Sequence, residues 1–234
     1  MTTTITRDNL QTLNDASTNS VYTLASYVVN SGANRVLVVV AHLMRLNTGD
    51  FSATCTYGGV SMTQAATDTA TSTSRRYRTY IWYLVNPAVG TADVVVTVSP
   101  GIHGAIVAAE TLRGVKQSGT VGITASTTST TADATLTLNG VMGGSLIVAG
   151  VTSNSSGSPT WMWTPAAENY DLNNGNDNAE VAGSGAYYAV PADGNVSITG
   201  TRSSAPANSA AVAVEFLAAE LPALVAGTGV FALA

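Results

Sequence analysis

The sequence predicts an all-β, two-sheet sandwich with an internal duplication. Only 10% of the 234 residues are charged, and most of the polar residues are Thr, Ser, Asn and Gly. β-Branched side chains favour pleated strands, while Gly and Asn supply tight turns. The phrase YIWYLVNPAVGTADVVVTV at 80–98 returns in a shorter form, YYAVPADGNVSITG, at 187–200. Repetition of an aromatic strand, a proline-glycine turn and a second strand indicates two similar halves.

The first half, residues 34–115, contains about six predicted strands. It follows a polar segment at 1–20, predicted to be an N-terminal arm or a loose first segment, and a strand at 21–29. The run NRVLVVVAHLM at 34–44 is continuously apolar, as expected for a strand covered on both faces or central in a sandwich. The dipeptide at 58–59, Gly-Gly, predicts a hairpin turn.

The second half, residues 134–218, follows a Ser/Thr-rich bridge that is either a linker or a short edge strand. Aligning Leu37 with Leu146, and Glu110 with Glu215, gives a repeat of about 105 residues. Such a repeat is too long for a solenoid, but each copy has an apolar sheet face that the other can cover. We therefore expect one sandwich domain at 21–220, with two separate β domains as the alternative. An uncharged apolar tail follows at 221–234.

Composition argues against several classes of partner. The net charge is −5, the pI is about 4.8 and the chain has a single lysine, so we expect no nucleic-acid partner. No run reaches the roughly 20 apolar residues that span a bilayer, so we expect no membrane partner. The single cysteine rules out an internal disulfide framework, and the first residues do not have the pattern of a signal peptide.

Sequence motifs give little support for catalysis. No nucleophile elbow, Gly-x-Gly-x-x-Gly or Walker loop occurs, and His42 and His103 have no partner at metal-ligand spacing. Glu110 and Glu215 suggest a glycosidase pair only because the alignment matches them. The loop at 170–180 has oxygen ligands that suit Ca²⁺, although an ordinary β-turn is favoured. We expect a non-enzymatic protein without a catalytic site, cofactor or metal.

Two segments are candidate partner contacts. Arg75, Arg76 and Arg78 precede an aromatic strand, and period-2 alternation places Arg76 and Arg78 on one face. Arginine beside aromatic rings is typical of interfaces, although a solvated strand end is an equal alternative. The apolar tail is predicted to pack on its own domain or on a neighbour. Its candidate contact residues are Leu221, Leu224, Val225, Val230, Phe231 and Leu233.

The patterns NRVLVVVAHL, TYGGVSMT, IWYLVNPAVGTADVVVTV and AAVAVEFLA resemble β-sandwich virion proteins of tailed phages. Within that group the chain is most similar to capsid decoration (cement) proteins. The resemblance implies a jelly-roll or lectin-like sandwich that forms a homotrimer on the capsid surface of the virion and ties major capsid protein subunits together. It implies no catalytic residues.

The alternative is a carbohydrate- or receptor-binding module of a tail fibre or surface adhesin. Trp161 and Trp163, or Tyr80 and Trp82, would then stack on the rings of a glycan.

Overall fold

Strands make up the regular structure of the protein. The computed structural model describes residues 3–175, 180–204 and 208–220. Within these ranges there are 17 strands and no helix, and therefore no helix that could cross a membrane. The prediction of an all-β fold is confirmed.

In the structure the first half covers residues 6–113 and the second covers residues 121–216, which is wider than the predicted bounds of 34–115 and 134–218. The first half contains nine strands. They are β1 (Thr6–Asp15), β2 (Asn19–Val29), β3 (Val36–Arg45), β4 (Ser52–Tyr57), β5 (Val60–Ser61), β6 (Thr63–Thr71), β7 (Arg76–Val85), β8 (Gly90–Ile102) and β9 (Ala105–Arg113). The second half contains eight. They are β10 (Val121–Ser129), β11 (Asp133–Val141), β12 (Leu146–Asn154), β13 (Trp161–Thr164), β14 (Ala167–Asn173), β15 (Val181–Ala189), β16 (Gly194–Arg202) and β17 (Ser209–Phe216).

The strands form four antiparallel sheets, where two were predicted. Each half has an inner five-stranded sheet, ordered β1-β9-β3-β7-β6 in the first half and β10-β17-β12-β15-β14 in the second. Each half also has an outer sheet, ordered β2-β8-β4-β5 and β11-β16-β13 respectively. Hydrophobic cores fill the space between the inner and outer sheet of each half, and further clusters join the two inner sheets. The protein is therefore a four-layer sandwich.

Burial on both faces explains the apolar run on β3. Val36, Val38 and Val40 lie in the core between the two inner sheets, whereas Leu37 and Val39 lie in the outer core of the first half. Successive side chains of a strand point to opposite faces, so a strand with two covered faces needs apolar residues at every position. The expectation of a doubly covered strand is confirmed.

The two halves share one strand order. In each half the chain alternates between the inner and the outer sheet at the start, and the first strand pairs with the last, β1 with β9 and β10 with β17. This double-sheet order resembles a jelly roll. The duplication of sequence itself remains a prediction.

The strand pairing corrects the alignment of the halves by one residue. Val36 lies opposite Leu112, and Leu146 lies opposite Phe216. All four side chains belong to the core between the inner sheets. Val36 therefore corresponds to Leu146. The predicted match of Leu37 with Leu146 is one residue out, because Leu37 lies on the opposite face of its strand. A shift of one residue reverses every side chain of a strand.

Two segments are more regular than expected. Most of the predicted N-terminal arm is β1, which pairs with β9 along residues 6–15 and has an irregularity between Asp8 and Gln11. The Ser/Thr-rich bridge contains β10, an edge strand that pairs with β17. Both strands alternate between half-buried and exposed positions, so neither has the apolar pattern that would identify it.

Candidate functional site

The three predicted arginines lie where β7 begins, and two of them share one carboxylate. Asp50 Oδ1 lies 2.6 Å from Arg76 Nη1 and 2.8 Å from Arg78 Nη2. The hydrogen bond from Arg76 is the main cause that lowers the pKa of Asp50, and the charge of Arg78 adds to it. The exposed loop that precedes β4 thus carries the anionic partner of both arginines.

Arg78 is held by further contacts inside the protein. It donates hydrogen bonds to Thr69 Oγ1 and to the Phe51 carbonyl, and its guanidinium lies 4.9 Å from the centre of the Phe51 ring. Only 14% of its side chain is exposed. We therefore regard Arg78 as a residue that positions the loop at Asp50, rather than as a partner contact.

A fourth arginine joins this cluster. Arg45 ends β3 directly opposite Arg76 and donates a hydrogen bond to the Asp50 carbonyl over 2.6 Å. Arg75 forms no ion pair with any described residue, and its guanidinium is 3.4 Å from Ser74 Oγ. We call Arg45, Arg76 and Arg78, together with Asp50 and Arg75, the arginine corner; Arg75 belongs to it by its place in the chain directly before Arg76, not by a contact.

The aromatic residues proposed for a glycan platform are internal. Tyr80 and Trp82 stack with ring centres 4.7 Å apart in the outer core of the first half, and both are at most 3% exposed. Trp161 and Trp163 lie in the outer core of the second half and are at most 6% exposed. A sugar ring must reach the face of an exposed aromatic side chain, so these four residues do not form a carbohydrate site.

Glu110 and Glu215 do not form a catalytic pair. The register places Glu110 on the face of its sheet that meets the other half, and Glu215 on the opposite face of the second inner sheet. Glu215 accepts hydrogen bonds from the Ile123 and Met142 amides and from Ser145 Oγ. Its carboxylate is thus used to tie the β10 and β11 ends to β17.

Glu110 forms an ion pair with Arg7 within the first half, and both residues contact the second half. Arg7 Nε lies 2.7 Å from Glu110 Oε1, and Asn169 donates a hydrogen bond of 3.1 Å to Glu110 Oε2. The Arg7 guanidinium also contacts Asn169 Oδ1 and lies 3.5 Å from the centre of the Tyr187 ring. Burial raises the pKa of Glu110, and the charge of Arg7 opposes that rise. A cavity of about 10 Å³ beside the pair is large enough for one water molecule.

A second polar contact between the halves surrounds His42, which is fully buried. His42 Nδ1 lies 2.9 Å from Thr152 Oγ1, and His42 Nε2 lies 2.8 Å from the Tyr170 hydroxyl. Thr79 Oγ1 lies 2.6 Å from Thr152 Oγ1 and donates to the Ala210 carbonyl. We call His42, Thr79, Thr152 and Tyr170 the interhalf lock.

The donor of each hydrogen bond in the interhalf lock can be assigned from the bond that Thr79 makes to the Ala210 carbonyl. Since Thr79 donates to that carbonyl, Thr152 donates a hydrogen bond to Thr79 and accepts one from His42 Nδ1–H. His42 Nε2 then accepts from the Tyr170 hydroxyl. Burial lowers the pKa of His42 to about 3, which agrees with a neutral ring. The histidine is thus a structural group joining the halves.

The described residues give no support for metal or thiol chemistry. None of them form a group of three or more His, Cys, Asp or Glu side chains that could hold a metal ion. Asp177, one of the ligands considered for Ca²⁺, lies outside the described residues. Cys55 is buried, and burial raises the pKa of its thiol to about 12.

Seven large apolar side chains are exposed among the described residues, and four of them lie at turns or strand ends, whereas Leu10, Val21 and Met162 lie within strands. Val60, Val89 and Met142 are each 55–56% exposed, and Val28 is 38% exposed. Val60 and Val89 lie beside one surface depression, whose lining also includes Tyr57 and Leu84. We call Val28, Val60, Val89 and Met142 the apolar end.

The last described residue of the chain reaches the apolar end. Glu220 and Met142 line the same shallow depression, and Ala219 accepts a hydrogen bond from the Thr3 amide. The candidate contacts of the tail, from Leu221 to Leu233, lie outside the described residues. Their role therefore stays a prediction.

The chain matches no model of a known protein family, and a search of the curated proteins finds none similar to it.

Proposed function

We propose that this protein is a non-enzymatic structural protein of a virion, a capsid decoration protein that bridges major capsid subunits as a homotrimer. The apolar end carries this proposal. Val60 and Val89 line one depression and Met142 lines another, and exposed apolar side chains of this kind support a surface that another protein covers. The uncharged tail follows Glu220, which lies beside Met142, so a contact made there can extend along the tail.

The construction of the sandwich supports a role that depends on rigidity. Each inner sheet is covered on both faces, and the interhalf lock fixes the two inner sheets against one another through direct hydrogen bonds. A fully bonded polar network inside a core holds one arrangement of the packed elements. Four sheets packed in this way keep the surfaces of the protein at fixed distances from one another, which a protein that bridges two subunits requires.

The polar groups that were considered for chemistry also have structural partners. Glu110 contacts Arg7 and Asn169, Glu215 contacts the strand ends around it, and His42 joins the halves. This use of the acidic and histidine side chains favours a structural role over catalysis.

Removing the apolar contacts is expected to abolish assembly. We expect a chain ending at Glu220, and a full-length variant with Val60→Gln, Val89→Gln and Met142→Gln, to be monomers. We also expect both to bind shells of the major capsid protein encoded in the same genome about tenfold more weakly, or worse, than the unaltered protein. Light scattering gives the oligomeric state, and co-sedimentation gives the binding.

Met162→Gln is the matched control for this experiment. Met162 is 68% exposed but lies on β13, away from the apolar end. Its replacement should leave both trimer and shell binding unchanged. The proposal is wrong if the truncated chain and the triple variant still form trimers and bind shells as the unaltered protein does.

A further inference from the structure

The arginine corner concentrates positive charge on an acidic protein. It holds four of the nine basic residues of the chain, and Asp50 is the one carboxylate that contacts them among the described residues. The whole chain carries a net charge of −5. A local field opposite in sign to that of the rest of the molecule orients a charged partner as it approaches.

The corner also places two positive charges at directly opposed positions of neighbouring strands, an arrangement that sheets usually avoid. Arg45 and Arg76 occupy directly opposed positions on β3 and β7, an arrangement that destabilises a sheet unless something offsets it. Asp50 offsets it in part, since its carboxylate binds Arg76 and its carbonyl binds Arg45. One carboxylate neutralises one of the four positive charges, so the corner keeps a net positive charge.

The second half has no such corner, although it has the same strand order. Counted along the paired strands from Val36 and from Leu146, Ser155 stands in the place of Arg45 and Glu180 in the place of Arg76. The scaffold therefore folds without arginines at these positions. Their presence in one half points to a task other than folding.

The side-chain chemistry indicates the class of partner. All four cations are arginines, and the single lysine of the chain, Lys116, lies beside Met142 and Glu220. A guanidinium binds a carboxylate through two parallel hydrogen bonds, and it loses less hydration than an ammonium when it is buried in an interface. Arg75 forms no ion pair with any described residue, so its guanidinium has no carboxylate partner within the described chain.

We propose that the arginine corner is the docking surface for an acidic patch on a partner protein, with Arg75 and Arg76 binding the partner's carboxylates. Arg78 holds the corner in position, together with Asp50, by donating hydrogen bonds to Thr69 and to the Phe51 carbonyl. This inference rests on the proposed function, since it requires a protein partner, and it names the acidic side of that partner. A nucleic acid is disfavoured because the carboxylate of Asp50, 73% exposed, lies in the middle of the corner.

Charge reversal of Arg75 tests the proposal without breaking an ion pair. The probe is a fluorescent peptide of about ten glutamates, whose binding is followed by anisotropy at about 0.05 M salt, where screening is weak. We expect Arg75→Glu to weaken binding about fivefold or more, and about 0.5 M salt to abolish binding to the unaltered protein. Lys116→Glu makes the same change in net charge at a distant site and should have little effect.

Three results would overturn the proposal. The first is that the peptide does not bind the unaltered protein at low salt, and the second is that Arg75→Glu and Lys116→Glu bind it equally. A DNA duplex of about 20 base pairs bound more tightly, with the same dependence on Arg75, would instead assign the corner to nucleic acid. Shell binding separates this inference from the proposed function. If Arg75→Glu binds shells normally while the triple variant of the apolar end does not, decoration stands and the corner does not contribute.

Discussion

Replacing Arg7 with alanine is expected to lower the free energy of unfolding by about 2–4 kcal/mol at neutral pH. The substitution leaves Glu110 as a carboxylate that is nine-tenths buried and has lost its cation. It also removes the guanidinium from the Tyr187 ring, and with it the contact that joins β1 to β15. Urea unfolding followed by tryptophan fluorescence measures the loss.

The loss caused by Arg7→Ala should depend on pH in a defined direction. Burial already raises the pKa of Glu110 above its ordinary 4.5, and removing Arg7 raises it further because the opposing charge is gone. A carboxyl group with a raised pKa in the folded state favours folding below its unfolded pKa, and this contribution is lost as the pH rises through the folded pKa. The deficit of the variant should therefore shrink as the pH falls towards 4.5.

Two controls separate the buried charge from the loss of side-chain packing. Glu110→Gln added to Arg7→Ala should restore part of the stability and remove most of the pH dependence, because no charge remains to be buried. Arg113→Ala breaks the ion pair with Asp8, whose side chains are 33% and 26% exposed, and should lower stability by less than about 1 kcal/mol. Equal losses for Arg7→Ala and Arg113→Ala at every pH would contradict the argument.

The sequence predicted the strands best where burial alone determines the residues. β3 was expected from a run of apolar residues, and its two covered faces explain that run. The number of sheets did not follow in the same way. A doubly covered strand is equally consistent with a central strand of one sandwich and with a strand shared between two cores, and only the pairing of strands distinguishes them.

The candidate site was predicted in part. The arginines were identified from their cluster in the sequence, but Arg45 and Asp50 were not, because Arg45 reaches the cluster through strand pairing and Asp50 through the loop before β4. The matching of Glu110 with Glu215 failed for a related reason. The two halves were aligned by similar residues, but the faces of a strand alternate residue by residue. An error of one position therefore exchanged the face toward the other half with the face toward the outer sheet. Register is set by tertiary packing, which a repeated phrase does not record.

A methyl group at residue 183 is expected to weaken the contact between the halves by about 3 kcal/mol. A Cβ on Gly183 would lie 2.4 Å from His42 Cγ and 2.5 Å from Cδ2, distances that real atoms do not reach. The ring is held by hydrogen bonds to Thr152 and Tyr170, so it cannot turn aside without leaving buried polar groups unpaired. Gly183→Ala therefore strains the interhalf lock itself rather than one side chain.

The fluorescence of the three tryptophans makes this effect specific. Trp82 lies in the first half, and Trp161 and Trp163 lie in the second. Selective replacement of these residues by phenylalanine allows each half to be followed alone. In Gly183→Ala we expect the two halves to unfold at different urea concentrations, because their shared core no longer couples them.

Gly200→Ala is the control, since its Cβ would meet the Trp163 ring at 3.2 Å within one half. It should lower stability modestly and keep a single transition. A single transition with an unchanged midpoint in Gly183→Ala would mean that His42 yields easily, and that the interhalf lock does not set how the halves meet.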